Sequence, residues 1–253
     1  MQGILKSSAL VCVFIAVTNS AWAGSDSKAR SLVEKAIKAH GGKKAKIKAQ
    51  KMNVKGVMIF GGNKLKYTAV YTIVMPVKFR FDLAMDMDGK QIKLSAASDG
   101  KTAWEQMGSQ VRVMEKTKAI EFQHNVYSMA VANLFPLRSQ KYKLTLLGES
   151  KLGEATLIGI RAKRKGKRDV SLYFDKKTWL LKKTTTTIIS EFTGTKQKQD
   201  VYFSEYRDQN GAKVFHKLVI QRDGKDAIIE EYSNQRNLPR VDASFFTKPK
   251  AGS

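Results

Sequence analysis

Two hydrophobic periods divide the chain. From Ala29, apolar residues recur at Leu32, Val33, Ala36 and Ile37, the spacing of an amphipathic helix. Ser25 or Asp26 is placed to cap it, Gly41 and Gly42 to end it, with Lys38 and His40 in the last turn where cations suit the helix dipole. Beyond this point the period drops to two. Leu65, Tyr67, Ala69, Tyr71, Ile73 and Met75 alternate with more polar or β-branched neighbours, and the pattern restarts past Pro76 as Val77, Phe79, Phe81, Leu83, Met85 and Met87. Turn signals recur at hairpin spacing: Gly61-Gly62-Asn63, Asp88-Gly89, Asp99-Gly100, Lys165-Gly166, Asn210-Gly211 and Asp223-Gly224. Long strands joined by tight turns predict an antiparallel meander of about eleven strands, curved into an open barrel.

One helical segment interrupts the strands. Residues 115–135 place Phe122, Val126, Met129, Ala130 and Leu134 on one stripe, and Pro136 stops it. A helix inserted into a curved sheet is expected to cover the concave, apolar face as a lid. The fold class predicted is therefore mainly β with an α lid. No composition shift or repeat suggests a second domain, so residues 24–253 are expected to form one.

The N-terminal stretch has a different use. Lys6, the apolar run 9–17 and Ala21-Trp22-Ala23 have the order of an export signal with its cleavage site, predicting removal of residues 1–23. The run is too short to span a bilayer. Cys12, the single cysteine, leaves with it and follows Val11, a poor context for lipidation. The predicted product is an exported, soluble, periplasmic chain without disulfides.

Charge narrows the partners. Lys and Arg number 46 against 22 Asp and Glu, a formal +24, which suits a protein working near anionic surfaces such as phospholipid headgroups. The densest basic run is Arg161, Lys163, Arg164, Lys165, Lys167 and Arg168, at a hairpin tip marked by Gly166. It is either a solvated turn or a contact for a membrane or headgroup. A nucleic-acid reader needs exposed aromatics interleaved with such charge, and this run has none.

Catalytic signatures are absent from the sequence. His40, His124 and His216 lie far apart and each suits a surface or helix-end position better than a metal site. There is no G-x-S-x-G elbow, and GIRAKRKGK (159–167) fails the Walker A pattern. Asp82, Asp86 and Asp88 share a strand face whose alternation with apolar neighbours fits a solvated surface better than a cation site. Neither a metal nor a cofactor is expected, and no enzyme activity.

The inward face has its own character. Met58, Phe60, Tyr67, Tyr71, Met75, Phe79, Phe81, Met85 and Trp104 are large and adaptable. They serve either a packed core or a cavity for acyl chains. Pairing of the second and third strands would place Tyr67, Tyr71 and Ile73 beside Phe79, Phe81, Leu83 and Met85, with Phe122, Val126 and Met129 facing them from the lid.

Three short motifs extend this picture. They are SDGKTAW (98–104), MPVKFRF (75–81) and VDASFFTKP (241–249). In their order, and in the succession of signal, lead helix, long strands and inserted lid, the chain resembles the LolA/LolB-like periplasmic lipoprotein carriers. The resemblance implies acyl-chain binding without catalysis, acylated lipoprotein or lipid cargo, and an inner-membrane ABC transporter and outer-membrane acceptor as partners. One position departs from the family: Met75 stands where the lipoprotein carrier has an arginine that helps hold the lid shut. Two rival roles remain open at this stage. One is a lipid- or lipoprotein-sensing regulator on the same fold, which usually adds a C-terminal domain where this chain ends soon after Pro249. The other is a structural envelope protein with a filled interior.

Overall fold

The computed structural model describes residues 20–87, 89–191 and 193–249, with backbone alone for 20–24. Most of the export signal read at 1–23 thus lies outside the described residues, as does Asp88 of the aspartate trio. Helix α1 (Ser20–Ala39) leads. Six strands follow as an antiparallel meander: β1 (Ala49–Phe60), β2 (Asn63–Val74), β3 (Lys78–Met87), β4 (Lys90–Ser98), β5 (Ala103–Met107) and β6 (Gln110–Val113). After α2 (Lys116–Ala132) the meander resumes with β7 (Lys143–Leu152), β8 (Ala155–Lys163), β9 (Val170–Asp175), β10 (Leu181–Ile189) and β11 (Lys196–Ser204). Strands β12 (Arg207–Gln209) and β13 (Ala212–Val214) make a small separate ribbon, and β14 (Lys217–Arg222) and β15 (Lys225–Asn237) complete the chain of strands.

The last strand pairs with the first. β15 lies antiparallel to β1, with Glu230 opposite Gly56, and this joins both meanders into one sheet of 13 strands. Its edges are β6 and β7, which are consecutive in sequence. The connection carrying α2 must therefore cross from one edge to the other. It does so over a strongly curled surface. Lys118 touches Glu105 on β5, and Glu121, one helical turn later, accepts a bond from Ile189 N on β10. Those strands are eight positions apart, roughly 38 Å on a flat sheet at ~4.8 Å per strand.

The expectation of about eleven strands in a barrel needs correcting. The described residues form fifteen strands, thirteen in the main sheet, and that sheet does not close, because β6 and β7 remain separate edges. Two of the missed hairpins turn at Gly108 and Gly153, both at positive φ, where no Asn or Asp precedes the glycine.

Helix α1 buries the predicted face, with Ala29, Val33, Ala36 and Ile37 all in the core. It starts earlier than predicted, at Ser20, so Ser25 and Asp26 are not its caps. Their side chains are used on the sheet edge instead: Leu144 N donates to Asp26 Oδ1 at 2.8 Å and Leu146 N to Ser25 Oγ at 3.3 Å. Covering the free N–H groups of β7 blocks pairing with another chain there.

On the convex face, the three family-like motifs meet. Arg80, Ala97 and Trp104 stand in register across β3, β4 and β5. Trp104 is buried and donates its Nε1–H to Phe246 O at 2.9 Å, while Arg80 donates to Phe245 O and covers the Trp104 and Phe245 rings. The C-terminal segment is thereby pinned behind the sheet.

Candidate functional site

Between the concave face and α2 lies a cavity of about 870 Å³, inside the range usual for small-molecule sites. Strand pleating decides which predicted residues meet there. Tyr71 pairs with Phe81 and Ile73 with Phe79, so both rows share one face, and all four line the cavity together with Met75. Phe122 descends from α2 onto them, its ring centroid 5.9 Å from Phe79 and 6.2 Å from Phe81. Val126 and Met129 line the same roof.

The other predicted residues lie elsewhere. Met58, Tyr67, Leu83 and Met85 occupy the same strand rows nearer the hairpin tips, outside the cavity lining. Phe60 sits beside the β1–β2 turn and is 52% exposed. Trp104 has the opposite pleat parity from Phe79 and Phe81, so it faces the convex side.

The second half of the wall went unread in the sequence. Val201 and Phe203 of β11, Leu218 and Ile220 of β14, and Ile228 and Tyr232 of β15 line it, with Phe215 beside them. Each of these pairs alternates on one face of its strand, a signal present in the sequence but weakened by the polar Glu230 between Ile228 and Tyr232.

Glu230 is the most unusual member of this wall. It is 5% exposed, and three tyrosines donate to it: Tyr67 Oη to Oε1 at 2.6 Å, Tyr71 Oη to Oε1 at 2.5 Å, and Tyr232 Oη to Oε2. Tyr67 reaches it across β1 because the intervening in-register residue is Gly56. A Cβ at Gly56 would lie 2.2 Å from Tyr67 Cζ. Burial, reinforced by the Glu230 charge, pushes all three phenols well above their ordinary value of 10.0. The cluster is thus a fixed polar knot in an apolar wall, its carboxylate satisfied by neutral donors rather than by a cation.

The lid is fastened on both sides. Toward β5, Lys118 Nζ meets Glu105 Oε2 at 2.6 Å, and Arg112 meets Oε1 at 2.8 Å. Toward β10, the buried Glu121 accepts from Ile189 N at 2.9 Å and from Arg168 Nη1 at 2.7 Å, with Arg168 Nη2 on its other oxygen. Burial alone would raise the Glu121 carboxyl, but these bonds and the Arg168 charge hold it below its ordinary 4.5. His124, expected near the surface, is instead buried with Nε2 3.1 Å from Thr186 Oγ1. Burial, aided by the Arg168 charge, pushes its pKa down to about 4, so the ring is neutral at pH 7. Met75 lines the cavity.

The basic run is partly spent within the molecule. Arg168 serves the lid, Lys163 lies 3.4 Å from Asp169, Arg164 covers Tyr142, and Lys167 sits over Tyr127. Arg161 and Lys165 point into solvent. Asp82, from the aspartate trio, accepts from Arg80 and Ser95. Among the described residues no cluster of three His, Cys, Asp or Glu is arranged to hold a metal.

A curled antiparallel sheet, fused at its first and last strands and roofed by a helix over an apolar cavity, defines the class of fold. No family model and no curated protein matches the sequence. Solved structures do match the fold. A LolA superfamily protein from Nitrosomonas europaea superposes with a TM-score of 0.60 at 12% identity, over 87% of this chain and 97% of that one. A DUF1329 family protein from Desulfovibrio piger gives 0.55 at 13% identity, and a putative outer membrane lipoprotein-sorting protein domain from Vibrio parahaemolyticus 0.55 at 11%, both with the same coverage. The fold is LolA-like.

Proposed function

We propose that this protein is a non-catalytic periplasmic carrier that shelters acyl chains of lipids or lipoproteins in the cavity beneath α2 and moves them between inner and outer membrane. The observation that carries the proposal is the roofed apolar cavity of about 870 Å³, walled by Phe79, Phe81, Phe122, Val201 and Phe203. A structural protein with a filled interior would have no such space. Each methylene buried there contributes roughly 0.8 kcal/mol, so a chain can bind without a polar anchor. The LolA-like fold agrees with this role, and among the described residues no helix is long and apolar enough to cross a membrane. Delivery then involves a donor such as an ABC transporter, an acceptor, and transient contact of the Arg161 and Lys165 hairpin with anionic bilayers.

The test is organic extraction and mass spectrometry of protein purified from a periplasmic fraction, paired with a thermal melt. The wild type is expected to yield about one lipid-bearing ligand per chain. Phe81→Ala should keep its fold with altered lipid occupancy. A protein that yields no lipid, takes up no fluorescent fatty acid and unfolds on Phe81→Ala has no working cavity.

A further inference from the structure

Among the cations lining the cavity, Arg222 is the half-buried one. Arg222 ends β14 on the same pleat face as Leu218 and Ile220, and it lines the cavity with them. Its Nε is shut off from solvent and has no hydrogen-bond partner. No described carboxylate forms an ion pair with it. Those nearby are engaged elsewhere: Asp200 with Lys198 and Thr185, Asp223 with Lys198 N, Asp226 with Gln221, and Glu191 with Lys118 at 3.9 Å. A guanidinium keeps its charge in proteins, and Arg222 is half-buried, so a charge partly withdrawn from water without an ion-pair partner carries a cost.

The rest of the wall gives this cation a direction. Glu230 stands opposite Leu218, four residues along β14 from Arg222, or roughly 13 Å at ~3.3 Å per residue. One end of the wall therefore holds a half-buried positive group without an ion-pair partner and a point well along it a carboxylate; the other cations of the lining, Lys44, Lys213 and Arg236, are exposed to solvent. An anionic ligand head is attracted to the first and repelled by the second, while apolar side chains lie between them.

We propose that Arg222 receives the acidic head of the ligand, so that the cavity selects anionic amphiphiles, an acyl chain bearing a carboxylate or a phosphate, and orients the chain toward the Glu230–tyrosine wall. This deepens the carrier reading and rests on it. Burial holds the Arg222 pKa below its ordinary 12.5, opposed by the Glu191 charge. Its planar donor fork suits either head.

The experiment titrates the full chain with palmitate, palmitoyl lysophosphatidate and neutral monopalmitoylglycerol, reading displacement of a fluorescent fatty acid. The wild type should bind at least one acid about tenfold or more tighter than the neutral lipid. Arg222→Met should weaken that acid by about tenfold to hundredfold and leave monopalmitoylglycerol unchanged, and Arg222→Lys should retain part of the preference. A loss confined to palmitate assigns a carboxylate head, and one confined to lysophosphatidate a phosphate head. Equal wild-type affinity for all three lipids, or an equal loss of all three in Arg222→Met, overturns the Arg222 assignment and leaves the carrier reading standing. Absence of binding by every lipid removes the carrier reading itself. The wild-type comparison decides the matter even if Arg222→Met does not fold.

Discussion

Replacing Gly56 by alanine is a sharp probe of the polar knot in the cavity wall. The new Cβ would sit 2.2 Å from Tyr67 Cζ and 2.5 Å from its Oη. Carbon atoms rest about 3.5 Å apart, so the ring must retreat by more than about 1 Å. The 2.6 Å bond from Tyr67 to Glu230 then stretches beyond the ~3.2 Å limit of a good hydrogen bond. Overpacking costs about 1–3 kcal/mol and the lost bond to a charged acceptor about 1.5–3, while alanine in a strand returns about 0.5–1, leaving a net loss of about 2–5 kcal/mol. Urea unfolding of wild type, Gly56→Ala, Tyr67→Ala and the double variant separates the causes. With Tyr67 truncated, Gly56→Ala should be neutral or stabilising. An equal cost of Gly56→Ala in both backgrounds would refute the account of Gly56 as the opening through which Tyr67 reaches Glu230.

Further predictions address the lid and the wall. Glu121→Gln should lower hydrogen-exchange protection of α2 by about tenfold to hundredfold, as a charged bond of ~1.5–3 kcal/mol is lost, and unchanged α2 protection would contradict the lid fastening. Because the Glu121 carboxyl is held low, that fastening is present above its ordinary 4.5 and is lost as pH falls through its folded value. His124 adds a second slope. It stays neutral when folded down to about pH 4 but protonates near 6.5 when unfolded, so stability is lost as pH is lowered from about 6.5 toward 4, by up to about 1.4 kcal/mol per unit. His124→Leu should flatten the melting-temperature profile in that window. Glu230→Gln leaves three buried tyrosines without a charged acceptor and should cost about 2–3 kcal/mol in a denaturant melt.

Strand alternation made much of this legible beforehand. Tyr71, Ile73, Phe79 and Phe81 could be placed on one surface because an antiparallel hairpin fixes both pairing and pleat, and the helix expected over 115–135 forms over 116–132, Leu134 and Pro136 falling beyond it at the N-cap and within a short 3-10 turn. Other features depend on contacts distant in sequence. Nothing near Glu230 announces Tyr67, 163 residues away, or that Gly56 lies between them. The use of Asp26 by β7 rather than by its own helix follows from an edge strand 118 residues on. Trp104 was assigned inward on size alone, whereas its register with Arg80 through Ala97 turns it outward. In sequence the basic run reads as a solvated turn or a headgroup contact, yet Arg168 is drawn off by a glutamate on the lid.

The central claim, that the space under α2 holds an acyl chain, is tested most directly by a crystal structure of the protein with a terminally brominated fatty acid, phased to show the bromine. The account predicts an anomalous peak inside the cavity, among residues such as Phe79, Phe122 and Phe203, with the chain continuing beneath the lid. Bromine bound only on the outer surface, with those side chains packed together across the cavity, would contradict it.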